Sequence, residues 1–332
     1  MLVVRRVSVA VLVALTLSLA GGCSGGAGSG EMVELVSGDT QLPETSSQVA
    51  EYLPDAELED GEPEEASNPE PQPPIALTLK FTAGQSAVYI LTNEITTTFR
   101  NEDGTLEATD SFLNATQSVT VESTGSNFGL VTIETTGVSA GVPGEDMPTA
   151  YMQKMAENIE GSRLRGRFDG QGRGTELFLL GGGVGLNPMG PQAGSQDVMV
   201  GFMGVLLPGK VVAPGDTWTG VYDISQSAAD LFEGSGSFVE SGTVPITYSL
   251  IDYDEERNLA AIRIHSEGRP LIKIPLGGAV INLEMRVVTD GRALVRLDDG
   301  WLEELKIESI ITIEGYIAAR NVVRSTTRRV KK

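Results

Sequence analysis

Few side chains in this chain are able to do chemistry. It holds one histidine, His265, and one cysteine, Cys23. Most zinc sites, a Ser-His-Asp or Cys-His arrangement and haem ligation by a histidine pair would all have to rest on His265 alone. That residue lies in the alternating run Ile262-Arg263-Ile264-His265-Ser266-Glu267 and shares its polar face with Arg263, so it reads as a solvated strand residue. Gly204 to Lys210 spells G-x-x-x-x-G-K, the front of a phosphate loop. Val211 stands where a Ser or Thr would hold magnesium, and Pro208 interrupts the run of backbone N–H groups that would cradle phosphate. The loop after Asp169 has Gln171 and Arg173 where a calcium loop needs oxygen ligands. The carboxylate pairs Asp252/Asp254 and Glu303/Glu304 sit at strand ends or turns, where acids are ordinarily solvated. No catalytic, cofactor-binding or metal-ligating set emerges, and the expectation is a protein that is not an enzyme and needs no cofactor.

Cys23 is the exception. It closes an N-terminal run of Arg5-Arg6, an apolar stretch Val7 to Ala20, and Ala20-Gly21-Gly22-Cys23. As a helix the apolar stretch is roughly 21 Å long at ~1.5 Å per residue, short of the ~30 Å bilayer core. It has the length of a signal h-region. The order basic, apolar, small, Cys resembles the lipobox of bacterial lipoproteins, with Ala20 where Leu is common and Leu19 one place early. The resemblance implies cleavage after residue 22 and lipidation of the Cys23 thiol. An ordinary secretory signal cut near Ala20 is the competing reading. A lone cysteine suits lipidation, because an exported disulfide protein wants an even count. Two or three acyl chains anchor stably where one does not. Ser24, rather than Asp, follows the cysteine. That points to the outer membrane of a bacterial cell envelope, facing the periplasm or the cell surface.

From Ser24 to Pro74 the chain has acids and no Lys or Arg, and it ends in Pro69-Glu70-Pro71-Gln72-Pro73-Pro74. Low hydrophobicity with charge of one sign predicts a disordered, extended tether. Much of the net charge of −21 comes from it. Such a field argues against nucleic acid as a partner. The opposite end, Arg320 to Lys332, carries Arg324, Arg328, Arg329, Lys331 and Lys332 and no acid. It reads as a basic tail, solvated or resting on anionic headgroups.

The elements between are mainly β (α+β). Leu77, Leu79 and Phe81 alternate with polar residues, as do Tyr89, Leu91, Ile95 and Phe99. The same holds for Ile281 to Val287 and for Leu305 to Ile313. One wet and one dry face predict antiparallel sheet. Turns are expected at Glu102-Asp103-Gly104, Ser123-Thr124-Gly125, Thr289-Asp290-Gly291 and Asp298-Asp299-Gly300. Helices are expected over Pro148–Glu160 and Ser195–Leu206, with a Gly-rich loop, Gly181 to Gly185, between them. The segment from Gly166 to Leu177 resembles that from Val295 to Leu305, each a strand, an Asp/Gly turn and a strand. A duplicated β-meander follows, with the two helices packed against it. The domain reading is a signal peptide over 1–22, a tether over 23–74, a first β-repeat over 75–180, a connector over 181–214, and a second β-repeat with basic tail over 215–332.

Thr82-Ala83-Gly84-Gln85 before Val88-Tyr89, and Leu207-Pro208-Gly209-Lys210-Val211-Val212-Ala213-Pro214-Gly215-Asp216-Thr217-Trp218, resemble passages of uncharacterised bacterial envelope lipoproteins, a domain of unknown function (DUF6263-like). That resemblance implies a membrane-anchored envelope protein and offers no catalytic residues. Read physically, Gly215-Asp216 is a turn and Trp218 a core anchor. Three functions remain open. One is a binding module on a curved half-barrel of the LolA/LppX type, holding a hydrophobic small molecule or lipid. Another is a structural or assembly scaffold partnering an envelope protein. The last is a hydrolase.

Overall fold

Alternation of apolar and polar residues becomes antiparallel sheet throughout the computed structural model, which describes residues 72–100, 104–143, 150–179, 202–223, 238–241, 243–276, 279–315 and 319–330. Its first half holds β1 (Ile75–Leu77), β2 (Ser86–Arg100), β3 (Leu106–Thr124), β4 (Phe128–Gly141), the helix α1 (Ala150–Ile159), β5 (Arg163–Asp169) and β6 (Gly174–Leu179). Its second half holds β7 (Lys210–Val212), β8 (Thr217–Asp223), β9 (Phe238–Ser241), β10 (Thr243–Asp254), β11 (Leu259–Gly268), β12 (Leu271–Leu276), β13 (Ala279–Arg296), β14 (Leu302–Gly315) and β15 (Ala319–Arg329). Cys23, its signal segment, most of the tether and the Gly-rich loop lie outside the described residues.

One sheet takes up both halves, in the order β6-β5-β4-β3-β2-β15-β14-β13-β11-β10-β8, with β12 and β9 attached beside β13. Read from β8, each neighbour is the next long strand of the chain as far as β15, and the order then resumes at β2. The sheet is therefore one continuous meander whose chain opening falls at the β2–β15 seam. That seam is fully paired, from Ala319↔Phe99 to Arg329↔Tyr89.

Four expectations change. Residues 319–329 form β15, a central strand with partners on both sides, and not a basic tail. The cause is the small inward set Ala319, Asn321, Val323, Ser325 and Thr327, all buried. Arg320, Arg324 and Arg328 alternate outward, where Arg324 pairs with Glu308 at 2.7 Å. Only 331–332 remain beyond the described end. Thr289-Asp290-Gly291 is no turn but the middle of β13. There Gly291 permits close pairing, since a Cβ would sit 2.7 Å from the Lys306 carbonyl. The described part of the Ser195–Leu206 helix is a single 3-10 turn, Phe202–Gly204, in which Met203 has φ 54°. Pro208 bars its predecessor from helical backbone, and Val205 to Pro208 run irregular and buried. Finally, Leu77 and Leu79 are buried as their alternation implied, yet β1 stops at Leu77. The helix expected over Pro148–Glu160 stands as α1.

The main core joins Tyr89, Val119, Val131, Phe168, Leu250, Ile262, Val295 and Trp301 from across the sheet to Leu77, Leu79, Val205, Leu206, Leu207 and Val212. Residues assigned above to a connector are thus part of the core. A smaller cluster of Ile95, Leu113, Ala140 and Val323 packs under Met152 of α1.

Candidate functional site

The short β1–β7 ladder and the residues around it stop one end of the sheet. After β1 the chain donates Leu79 N–H to the Gly170 carbonyl at 2.7 Å and Lys80 N–H to the Asp299 carbonyl at 2.9 Å. Residues 206 and 207 then reach both margins of the sheet. The Leu207 N–H donates to the Gln171 carbonyl at 2.9 Å, in the β5–β6 turn. The Leu206 carbonyl accepts from Trp218 Nε1 of β8 at 2.7 Å. Between β5 and β8 lie nine strand spacings, or ~43 Å if the sheet were flat at ~4.8 Å each. Two consecutive residues cannot bridge that. The sheet must curl until its margins approach, and the strap at 205–208 clasps them. β6 and β8 do not pair with each other among the described residues.

Charge gathers at the stoppered end. In the β13–β14 turn Asp299 Oδ1 accepts from the Trp301 N–H at 3.0 Å, and Asp299 Oδ2 accepts from Gln85 Nε2 at 3.1 Å. Trp301 is fully buried, donates Nε1–H to the Lys80 carbonyl at 3.2 Å, and lies under the Arg329 guanidinium at 5.6 Å. Arg329 also pairs with Glu303 at 3.2 Å. The Arg296 fork on Asp298 holds that carboxyl down to about 2, whereas burial pushes the Asp299 carboxyl up. Each acid has a cation or an amide to answer it, which describes a structural lock.

Further along, the inner face changes character. On β2 the inward residues Tyr89, Asn93, Ile95 and Thr97 are all buried, polar and apolar alike. Asn93 stands opposite Ser325 of β15, and Thr97 opposite Asn321. Ser309 of β14 lies beside Val323, and Thr289 of β13 beside Ser309. The result is a polar belt across the middle of the inner face, set among Ile95, Val323, Ile307 and Ile311. Part of it satisfies itself. Asn93 Nδ2 donates to the Leu113 carbonyl, Ser266 Oγ to the Pro245 carbonyl at 2.8 Å, and the Thr289 and Ser309 hydroxyls meet at 2.9 Å. Asn321 does not: its relative exposure is 0%, and neither Nδ2 nor Oδ1 has a partner. Ser325 Oγ has none either. An unpaired buried polar group costs about 1–3 kcal/mol, so these atoms stand out. Sequence reasoning passed over them, because a short polar residue on the apolar side of an alternating run reads as a break in the pattern.

The residues singled out from sequence do not converge. His265 is half exposed on the outer face, its Nδ1 2.9 Å from Asp290 Oδ1, with Arg263 3.9 Å from the same oxygen. The phosphate-loop resemblance fails structurally, because the Leu207 and Gly209 amides already bond the Gln171 and Leu77 carbonyls. Asp169 Oδ1 accepts from the Gln171 and Arg173 amides, and Arg173 neutralises the carboxylate. Asp254 caps the Arg257 amide, Glu303 faces Arg329, and Glu304 lies by Lys306 at 3.4 Å. Trp218 is buried and stacked on Tyr248 at 5.9 Å. Among the described residues no three His, Cys, Asp or Glu side chains gather as a metal site, and no helix is long and apolar enough to cross a membrane.

No family model and no curated protein matches the chain. Among solved structures, lipovitellin is similar over 76% of this chain and 26% of its own, at 12% identity and a TM-score of 0.38. The chain thus spans about a quarter of that protein's length. The attachment invasion locus protein Ail of Yersinia pestis, solved with a heparin analogue, covers 75% of this chain and 100% of its own, at 6% identity and a TM-score of 0.19. A LolA superfamily protein from Nitrosomonas europaea covers 74% of this chain and 88% of its own, at 10% identity and a TM-score of 0.16. Scores this low align no residue of this chain with a site in any of them.

Proposed function

We propose that this chain is a lipid-anchored protein of the bacterial cell envelope, held through Cys23, whose curled sheet is a non-enzymatic binding module for a hydrophobic ligand or lipid. The observation that carries the binding role is the clasp at Leu206 and Leu207. It draws together margins nine strands apart and stoppers one end with an apolar core, giving the sheet an inner face distinct from its outer one. The outer face carries paired charges such as Arg163–Glu134 and Arg286–Glu267. The inner face is apolar above and below the belt. The anchor rests on the order of residues 5–23 and on the absence of any other cysteine. Solvent extraction and mass spectrometry of the purified protein test the binding role. A stoichiometric lipid beyond the anchor is expected. A protein that releases none, and takes none from vesicles, refutes it. Growth with a fatty-acid analogue tests the anchor: label on the wild type that disappears in Cys23→Ala is expected, and an unlabelled wild type removes the anchor. A scaffold for an envelope complex is the second reading, supported by the outer edges of β6 and β8, which end the sheet among the described residues.

A further inference from the structure

The stoppered end is also where the chain enters the sheet. Before β1, Gln72 Nε2 donates to the Tyr253 carbonyl at 3.2 Å, and the Tyr253 hydroxyl donates to the Pro73 carbonyl at 2.8 Å. Tyr253 stands at the end of β10, in the row that runs through Ala260 and Val295 to Leu302. β1 then sends Ile75 and Leu77 toward the core and leaves Ala76 exposed, opposite Val211 of β7. Val212 is buried, whereas Val211 is 60% exposed, more than any other large apolar side chain among the described residues. The turn after β7 donates the Gly215 N–H to the Leu250 carbonyl at 2.8 Å. That bond ties to the same end the β10 bulge, where Ile251 is 45% exposed. Lys210 and Asp252, one of each sign, flank the two aliphatic residues in sequence and are exposed as well. A single exposed aliphatic residue needs no account. Here two stand at the end where the segment from Cys23 is pinned.

We infer that the stoppered end rests on the surface of the bilayer that holds the Cys23 lipid, with Val211 and Ile251 entering its interface. This rests on the anchor proposed above and adds which end of the sheet meets the membrane. Two aliphatic side chains bind a bilayer weakly by themselves, since binding scales with the apolar area buried. Joined to an anchor they act at a raised effective concentration, and a weak contact is then enough. One cation and one acid leave the patch with no net charge, so the contact is apolar and independent of salt. The opposite end faces away from the bilayer. Leu106, 46% exposed, marks that end: it pairs with Arg100, at the far end of β2 from Tyr89 and ~36 Å along the strand.

The test uses the lipidated protein. Its one cysteine carries the anchor, so Lys210→Cys or Leu106→Cys gives a single thiol for a fluorophore. Each labelled protein is placed in phosphatidylcholine vesicles that contain a lipid with a nitroxide on its acyl chain. Quenching at 210 should exceed that at 106 several-fold, in low salt and in high salt alike. Adding Val211→Ser and Ile251→Ser should bring 210 down to the level of 106. Both side chains are exposed, so the exchange does not endanger the fold. If the protein floats with the vesicles yet 210 is quenched no more than 106, the inference is overturned and the anchor stands. Serine variants that quench as before, or quenching that disappears in high salt, overturn it too. A protein that does not float with the vesicles removes the anchor, and this inference with it.

Discussion

Arg296 is the residue on which the stoppered end most depends for charge. Its guanidinium bonds Asp298 and lies 3.5 Å from Asp299 and 3.7 Å from Glu303. The Asp298 carboxyl sits at about 2 when folded, below its ordinary 3.8. A folded pKa below the unfolded one means the contribution is present above about pH 4 and lost as pH falls toward about 2. Asp299, raised by burial, has the opposite sign and offsets part of it. Arg296→Gln should therefore lower the urea midpoint at pH 5, and the gap from wild type should narrow at pH 2. A gap that does not change with pH would show that Arg296 acts by packing alone. Tyr89 gives a contrasting case. Its hydroxyl is buried without a partner, and burial raises its pKa. Tyr89→Phe should leave stability unchanged or raise it by ~1 kcal/mol, measured by urea denaturation. A clear loss would reveal a partner for the hydroxyl. Single residues were legible where their chemistry is local: His265 as a strand residue and Asp169 as a turn residue both follow from immediate neighbours. The burial of Asn321 was not, because one of its two flanking strands, β2, lies more than 200 positions away in sequence.

Among elements, period-two runs announced the long strands, and the Pro-containing start announced α1. What misled was local chemistry serving distant contacts. Asp290-Gly291 has the composition of a turn, yet Gly291 is there so that β14 can approach. Gly300, by contrast, both turns the chain and meets the stopper: φ is 72°, and a Cβ would lie 2.6 Å from the Thr78 carbonyl. Gly84 has φ 81° with nothing near it. Left-handed backbone alone costs a side chain ~1–2 kcal/mol. Gly84→Ala should cost about that, and Gly300→Ala clearly more, since a backbone oxygen cannot step aside. Equal losses would mean that residues 78–80 yield easily, and with them the stopper. The strap makes the same point in apolar terms. Leu207 is 1% exposed and lies in the core at the junction of the two margins. Leu207→Ala should cost ~2–5 kcal/mol, read as the shift in urea unfolding. A loss below 1 kcal/mol would show that the margins hold without the strap.

At the scale of the whole molecule the decisive feature is the seam. The chain lays down β8, β10, β11, β13, β14 and β15 as successive neighbours, and β15 then finds β2, more than 200 residues back. Such a pairing closes a very long loop, which makes it slow to form and hard to foresee from local pattern. It also explains why the last strand resembled a tail. Arg320, Arg324 and Arg328 are spaced for an outer face, on which Arg324 pairs with Glu308, and its inner residues are too small and polar to signal a core strand. Removing it would leave β2 and β14 facing one another across an empty place, each with a row of unpaired amides and carbonyls. Its buried inner face would be lost with it. A chain ending at residue 318 should therefore lose the cooperative urea transition and bind a hydrophobic dye. A chain ending at Val330, whose N–H still reaches the Val88 carbonyl at 2.8 Å, should unfold as the full protein does. If the shorter chain kept a cooperative transition, the two halves would be independent β-repeats, and the seam an accessory contact. If instead both truncations unfolded, Lys331 and Lys332 would have a structural part that nothing in the seam requires.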